Sequence, residues 1–168
     1  METLPKRNLV MDKEAIRRKM RRIALQVAEQ NSEEQELVIA GINGNGEIVA
    51  KCLLDEIKKI SGFHVVYIRI ELNKKELSEV RLHPQADFDQ KVVIIADDVA
   101  NTGKTMLYAL KPFLARNPKK IQTVVLVERS HKLFPIQTDY AGLSIATTLQ
   151  EHIRVEAEGE VLTGAWLF

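Results

Sequence analysis

The sequence predicts an α/β fold in which a twisted, mainly parallel sheet is flanked by helices and carries a small β hood near the C-terminus. Apolar runs typical of buried strands alternate with segments whose apolar residues recur every three or four positions, as on one face of a helix. The loops that join these segments are short. Because strands separated by helices pair in parallel, we expect ligand-binding loops at the carboxyl ends of the strands.

The first half of the chain contains two helix patterns and two strand patterns. Helical spacing over residues 12–31 predicts a helix with Asp12 as its N-cap. A short apolar run at 37–40 leads into the loop GINGNG, and a second helical stripe follows at Val49, Leu53, Ile57 and Ile60. The alternating, β-branched stretch HVVYIRIEL at 64–72 predicts a strand. Residues 73–89 are polar and irregular, so we expect a long loop there, a candidate lid.

The second half predicts two buried strands and then a change of character. The strands cover 92–96 and 121–127, and between them a helix is predicted over 102–116, which Pro112 should kink or shorten. After residue 128 only short strand-like pieces remain, at 138–141, 153–156 and 161–167. We therefore expect a single domain over 1–168, with a core at about 12–128 and a hood at about 129–168.

Composition excludes several classes of protein. The 24 basic and 23 acidic residues give a formal charge of +1, so no global field draws the protein to nucleic acid or to an anionic membrane. The single Cys52 can form no internal disulfide, which suits a reducing compartment. The chain shows neither a signal-peptide pattern nor an apolar run long enough to cross a bilayer, so a cytoplasmic location is expected. There is no Cys and His cluster to suggest a metal site made by the protein alone.

The segment VVIIADDVANTGKT at 92–105 carries the clearest chemistry in the sequence. Its Gly-Lys-Thr ending suggests the phosphate loop of nucleotide triphosphatases, but that motif needs a glycine at position 98, which is an aspartate. The dinucleotide fingerprint is also excluded, because Gly41, Gly44 and Gly46 do not have its spacing. A different ligand is indicated. Asp97 and Asp98 can accept hydrogen bonds from vicinal ribose hydroxyls, and the loop after them offers backbone N–H groups and hydroxyls to a monophosphate.

These ordered positions resemble the phosphoribosyl diphosphate signature of the type I phosphoribosyltransferases. The stretches at 11–31 and 125–148 are similar to the opening helix and the hood segment of the bacterial pyrimidine-operon regulators that are also uracil phosphoribosyltransferases. The resemblance implies transfer of the ribosyl 5-phosphate group from phosphoribosyl diphosphate to a nucleobase, with uracil the expected acceptor and a UMP-like nucleotide the product. It also implies Mg²⁺ bound mainly through phosphoribosyl diphosphate, and a homodimer or higher homo-oligomer.

The resemblance assigns roles to residues at the carboxyl ends of the strands. Asp97 and Asp98 would hold the ribose close to the reacting carbon. The 5-phosphate loop would comprise Val99, Ala100, Asn101, Thr102, Gly103, Lys104 and Thr105. The pyrophosphate loop would comprise Ile42, Asn43, Gly44, Asn45 and Gly46. The nucleobase would be bound under the hood by Arg129, Tyr140, Ala141 and Gly142.

Two departures from the family leave a weaker activity open. The regulators carry lysine and arginine inside the pyrophosphate loop, where this chain has Asn43, Gly44 and Asn45. The lid segment lacks the Tyr-Arg-Asp-Asp stretch of the family, and Lys74, Lys75 and Arg81 are the cations that could replace it. A catalytically weak homologue that only binds ribose phosphates or nucleotides is therefore an alternative to the enzyme.

A second alternative is a regulator that binds RNA. Six cations between Lys13 and Arg22 are interrupted by one acid, Glu14, which is enough charge for a local phosphate-contacting stripe. Helical geometry spreads these cations over more than one face, and the near-neutral total charge argues against strong RNA affinity. RNA is therefore not the favoured partner.

Overall fold

The computed structural model describes residues 6–77 and 79–168. Residue 78 of the expected lid and the first five residues of the expected domain lie outside these ranges. The first half of the chain forms β1 (Asn8–Asp12), α1 (Lys13–Gln30), β2 (Glu36–Ile42), α2 (Asn45–Ile60), β3 (His64–Leu72) and β4 (Val80–His83). The second half forms β5 (Val92–Ala100), α3 (Lys104–Ala109), α4 (Lys111–Leu114), β6 (Lys120–Arg129), β7 (Tyr140–Ile145), β8 (Ile153–Glu158) and β9 (Val161–Leu167).

The main sheet has six strands in the order β4-β3-β2-β5-β6-β7. All neighbouring pairs are parallel except β3 and β4, which pair antiparallel. The predicted twisted, mainly parallel α/β sheet is thereby confirmed. Its carboxyl edge brings together the loops that follow β2, β3, β5, β6 and β7, which is where the sequence predicted the site.

Apolar side chains cover both faces of the central strands. On one face α1 and α2 pack Met20, Ile23 and Leu53 against the sheet, and on the other Phe113 packs with strand residues such as Ile95. Because both faces are buried, β2 and β5 read as continuous apolar runs rather than as alternating ones. A fully buried side chain of this size stabilises the fold by about 1.5–3 kcal/mol, so the sheet is a stiff platform for its loops.

The small sheet differs in composition from the expected hood. It has three strands in the order β1-β9-β8, so the N-terminal strand belongs to it, whereas β7 belongs to the main sheet. β7 joins the core because Tyr140 is buried on the face that α1 covers. β1 joins the small sheet because Met11 is buried there, with its backbone opposite Ala165 of β9. The boundary expected near residue 128 is therefore wrong for these two strands.

Two further segments depart from the sequence prediction. The lid at 73–89 is not irregular throughout, because β4 pairs with residues 69–72 of β3 and the segment's own Leu82 and Phe88 are buried. The helix predicted over 102–116 is divided at Leu110 into α3 and α4. Pro112 lies in the first turn of α4, where its missing N–H is tolerated, so the expected shortening is confirmed. Within the described residues, no helix has both the length and the apolarity needed to cross a bilayer.

Candidate active site

Three loops at the carboxyl edge of the main sheet meet around Asp97 and Asp98. The loop after β2 approaches so closely that a Cβ on Gly46 would lie 3.0 Å from Asp97 Oδ1, so only glycine fits there without displacing the carboxyl. The loop after β5 is held to the end of β6 by a hydrogen bond of 2.6 Å from Arg129 to Asn101 Oδ1. The fold thus brings Gly46, Asn101 and Arg129, which are far apart in the sequence, to the surroundings of the aspartate pair.

Asp97 is a buried carboxyl next to a second carboxyl. Its side chain accepts a hydrogen bond from the Asp98 N–H at 2.9 Å, and Lys74 Nζ lies 3.8 Å from Oδ1. Burial and, after it, the negative charge of Asp98 together raise the pKa of Asp97 to about 8, although Lys74 partly opposes both effects. At neutral pH Asp97 therefore keeps its proton, and its side chain can donate a hydrogen bond to a ligand as well as accept one.

Asp98 is half-buried and is oriented through both of its carboxylate oxygens. Oδ1 accepts a hydrogen bond from the Val99 N–H at 2.9 Å, and Oδ2 accepts one from Asn45 Nδ2 at 3.2 Å. Each carboxylate oxygen has a second lone pair that these contacts leave available. Asp98 can therefore accept hydrogen bonds from a bound hydroxyl while its orientation stays fixed.

The loop between β5 and α3 surrounds a small pocket of about 40 Å³. Gly103 has a φ of 85°, and a Cβ at this position would lie 2.4 Å from Ile136 Cγ2, so both conformation and space require glycine. The Thr102 carbonyl accepts hydrogen bonds from the N–H groups of Leu133 and Phe134, which fixes the loop from behind. The pocket is lined by Asp97, Val99, Ala100, Asn101, Thr102, Gly103, Thr105 and Met106.

The pocket includes six of the seven residues predicted for the 5-phosphate loop, and the exception is Lys104. Its side chain is exposed, with Nζ 5.9 Å from the centre of the Phe134 ring. Since α3 has only six residues, the loop offers an anion backbone N–H groups and hydroxyls rather than the dipole of a long helix. The space suits one small tetrahedral group and not a whole nucleotide.

The predicted pyrophosphate loop borders a larger cavity of about 730 Å³. Asn43 anchors the loop to β3, because its N–H donates to the Ile70 carbonyl at 2.8 Å and its Oδ1 accepts from the Leu72 N–H at 3.2 Å. Gly44 begins α2 with a φ of 91°, and its N–H donates to Glu47 Oε2 at 3.3 Å. The Ile42 side chain is fully buried and does not face the cavity.

The lid cations lie in different places around this cavity. Lys74 lines it and reaches Asp97, and Arg81 lines it but pairs with Glu79 at 2.8 Å. Lys75 is exposed and is not among the lining residues. The carboxylates of Glu71, Glu76 and Glu79 also border the cavity. The lid therefore presents mixed charge, and Lys74 is its cation in contact with the aspartate pair.

The residues predicted for the nucleobase do not share one location. Arg129 donates to Thr147 Oγ1 at 2.6 Å and to the Thr148 carbonyl at 3.0 Å, so it holds the segment after β7 beside the phosphate loop. Tyr140 is only 2% exposed, and its hydroxyl donates to Gln30 at 2.8 Å. The carbonyls of Ala141 and Gly142 accept hydrogen bonds from Arg22 on α1. The Tyr140 side chain thus lies in the core beneath α1, and binding of the base by the residues assigned to it stays a prediction.

Glu128, at the end of β6 and next to Arg129, is a residue of this region to which the sequence analysis assigned no role. The Glu128 carboxylate, largely buried, pairs with Lys132 and accepts hydrogen bonds from Ser144 Oγ at 3.1 Å and from the Thr138 N–H at 3.4 Å. Burial alone would raise the pKa of Glu128, but these hydrogen bonds outweigh it and the pKa is lowered. The four-residue spacing of Glu128 and Lys132 was the available signal. This ionised network supports the base of the segment at 130–139.

The described part of the chain contains no cluster of three His, Cys, Asp or Glu side chains able to hold a metal ion.

The family model for the phosphoribosyl transferase domain matches residues 9–158. The bifunctional protein PyrR of Clostridium acetobutylicum is 34% identical over 160 residues, which cover 89% of this chain and 90% of that protein. The bifunctional protein PyrR of Staphylococcus haemolyticus is 34% identical over 157 residues, with coverage of 88% and 90%.

Solved structures share the fold at lower identity. The hypoxanthine phosphoribosyltransferase of Trypanosoma cruzi matches with a TM-score of 0.77 at 17% identity, over 94% of this chain and 95% of that one. A hypoxanthine-guanine phosphoribosyltransferase from Bacillus anthracis matches with a TM-score of 0.69 at 21% identity, over 82% of each chain. Family match, curated relatives and fold agree, and the chain belongs to the type I phosphoribosyltransferase family.

Proposed function

We propose that the protein transfers the ribosyl 5-phosphate group from phosphoribosyl diphosphate to a nucleobase and releases pyrophosphate, with uracil as the acceptor. The observation that carries this proposal is the placement of Asp97 and Asp98 directly beside the 40 Å³ pocket of the loop after β5. Sugar hydroxyls at the two carboxyl groups and a phosphate in the pocket would belong to one ribose 5-phosphate. The larger cavity beside Asn43 and Lys74 then accommodates the diphosphate.

In the reaction, the bond between the anomeric carbon and the diphosphate oxygen breaks, and a bond to a ring nitrogen of the base forms. The nitrogen loses its proton to solvent, and the electron pair of the broken bond leaves with pyrophosphate. Because the transition state resembles an oxocarbenium ion, the protein acts mainly through positioning and electrostatics. Asp98, held by Val99 and Asn45, orients the ribose hydroxyls, and the protonated Asp97 donates or accepts beside it without adding a second charge.

The leaving group is stabilised from the lid side of the cavity. Lys74 is the cation in contact with Asp97. A bound diphosphate draws the Lys74 ammonium toward the cavity, because the diphosphate is negatively charged whereas the protonated carboxyl is neutral. Mg²⁺, if bound mainly through phosphoribosyl diphosphate, would supply further charge neutralisation.

The acceptor is proposed as uracil because the curated relatives at 34% identity are bifunctional PyrR proteins. In the structure, the segment at 145–148 is the part of the hood that faces the phosphate loop, because Arg129 links Thr147 and Thr148 to Asn101. We propose that backbone groups of this segment form hydrogen bonds with the edge of the pyrimidine.

RNA regulation is kept as an alternative function, and the contacts of α1 weigh against it as the main one. Arg18 pairs with Glu14 at 3.0 Å, Arg21 pairs with Glu56 at 3.4 Å, and Arg22 donates to the carbonyls of β7. Three of the six cations are thus engaged within the chain, which weakens the phosphate-contacting stripe.

A turnover assay with a panel of bases separates the alternatives. The protein is incubated with phosphoribosyl diphosphate, Mg²⁺ and uracil, hypoxanthine, guanine, xanthine, adenine or orotate, and pyrophosphate release is measured. Release with uracil alone supports the proposal, and release with a purine alone replaces the acceptor. Salt-dependent RNA retention without turnover supports the regulator. A shift of the melting temperature with nucleotides, but no turnover, supports the weak binder.

A further inference from the structure

Asn45 lies at the start of α2, between the aspartate pair and the small sheet. Its Nδ2 donates to Asp98 Oδ2 at 3.2 Å and to the Val155 carbonyl of β8 at 2.9 Å. A side-chain amide has two N–H donors, so these two contacts use both of them. The orientation of the amide is fixed by its partners, because the flipped amide would place Oδ1 against a carboxylate and a carbonyl.

This geometry leaves Asn45 a poor ligand for pyrophosphate. The remaining polar atom of its side chain is Oδ1, an acceptor, which repels the oxygens of an anion. To donate to pyrophosphate, the amide would have to release Asp98 or Val155, and each released group would lose a hydrogen bond in a half-buried site. The position of Asn45 in the loop at 42–46 therefore does not settle its role.

The contact with Asp98 has a clearer consequence. Val99 N–H holds Oδ1 and Asn45 holds Oδ2, so the carboxylate plane is fixed from two sides. Val155 is buried, and its strand pairs with β9 at Ala165, so the amide is anchored in turn by an ordered element. We infer that Asn45 is a positioning residue, which orients Asp98 toward the sugar hydroxyls and couples it to the small sheet, and which does not bind pyrophosphate. The inference rests on the proposed function.

The structure supplies a matched control for the coupling to the small sheet. Lys51 Nζ on α2 pairs with Glu160 Oε1 at 2.9 Å, so it also joins α2 to the β8–β9 hairpin. Lys51 lies six residues after Asn45, which is about 9 Å along the helix axis. A variant at Lys51 therefore loses a link between α2 and the small sheet without touching Asp98.

The test is calorimetric binding of ribose 5-phosphate and of inorganic pyrophosphate with Mg²⁺, for the full chain and its variants. Asn45→Ala is expected to weaken ribose 5-phosphate by about tenfold and to change pyrophosphate affinity by less than about twofold. Asn45→Asp, which places a carboxylate against Asp98, should weaken ribose 5-phosphate at least as much. Lys51→Ala should leave both affinities unchanged. Thermal unfolding confirms that each variant is folded.

A double variant tests whether Asn45 acts through Asp98. In the background of Asp98→Ala, adding Asn45→Ala should cause no further loss of ribose 5-phosphate affinity, because the group that Asn45 orients is already absent. A full additional loss overturns the inference. So does a fall in pyrophosphate affinity with ribose 5-phosphate affinity retained, which would make Asn45 a pyrophosphate ligand.

The outcomes also separate this inference from the proposed function. If the protein binds ribose 5-phosphate and Asn45→Ala binds it equally well, the inference alone is overturned. If ribose 5-phosphate binds and depends on Asn45 but no base is turned over, the inference stands and the proposed reaction does not. If the unaltered protein binds no ribose 5-phosphate, both are overturned.

Discussion

The raised pKa of Asp97 predicts that replacing its titratable carboxyl group by an amide stabilises the protein at neutral and alkaline pH. The group has an ordinary pKa of 3.8 and a pKa of about 8 in the folded protein, because it is buried beside Asp98. Between these two pH values the folded protein keeps a proton that the unfolded chain has lost. The free energy of unfolding therefore falls as pH rises through this window and levels off above it.

The substitution Asp97→Asn removes this titration and retains the shape of the side chain. Its Oδ1 can still accept the Asp98 N–H, and the lost contact with the half-exposed Lys74 is worth little. Each pH unit in the window corresponds to about 1.4 kcal/mol. Relative to the unaltered protein, the variant should gain about 3 kcal/mol of unfolding free energy between about pH 5 and about pH 7.5.

Urea unfolding at a series of pH values measures this gain. Asp55→Asn, at an exposed position on α2, is the matched control and should run parallel to the unaltered protein. If the unfolding free energy of Asp97→Asn runs parallel to that of the unaltered protein as pH changes, or is lower at about pH 8, then burial does not raise the pKa of Asp97 as described. The same variant should bind ribose 5-phosphate more weakly, because the buried carboxyl that lowers stability is also the group proposed to contact the ribose.

Three further predictions concern the loops and the free thiol. Gly103→Ala should lower the unfolding free energy by about 2–4 kcal/mol, because residue 103 has a positive φ and the added Cβ would clash with Ile136. Gly62→Ala adds a Cβ that meets no other atom, so it should change the unfolding free energy by less than about 0.5 kcal/mol. Thermal unfolding measures both. Arg129→Ala should weaken ribose 5-phosphate by about tenfold in calorimetry, and unchanged affinity would show that the link to Asn101 and Thr147 is not needed. Burial, followed by the charges of Glu56 and Asp55, raises the pKa of Cys52, so its labelling by a thiol reagent should be at least about tenfold slower than that of a small thiol at the same pH. Labelling at the rate of the small thiol would contradict this.

The sequence predicted best those elements whose signal is local. The bounds of β3 at 64–72 and of β9 at 161–167 match the prediction, and Asp12 caps α1 by accepting the Ala15 N–H at 2.7 Å. β1 and β4 were not predicted because each is short, and each is a strand only through a partner elsewhere in the chain. Periodicity within five residues cannot show that Met11 will lie opposite Ala165.

The same distinction applies to the candidate site. The order of residues in 92–105 was enough to predict the aspartate pair and the loop around the small pocket. The sequence could not show that Lys74 reaches Asp97, or that the Asn45 amide donates to both Asp98 and Val155. These contacts depend on where three separate loops end. The sequence also could not show that the Tyr140 side chain is buried in the core, because that depends on the pairing of its strand with β6. The local order of residues was enough to predict a ligand class, whereas the contacts of individual side chains depend on the tertiary structure.

The most direct test of the central claim is pyrophosphate release from phosphoribosyl diphosphate with Mg²⁺ and uracil, compared between the unaltered protein and Asp98→Asn. We expect uracil-dependent pyrophosphate release that is at least about a hundredfold slower in the variant, because an amide replaces the carboxylate that orients the ribose. Release that is equal in the two proteins, or absent from the unaltered protein with every base, would contradict it.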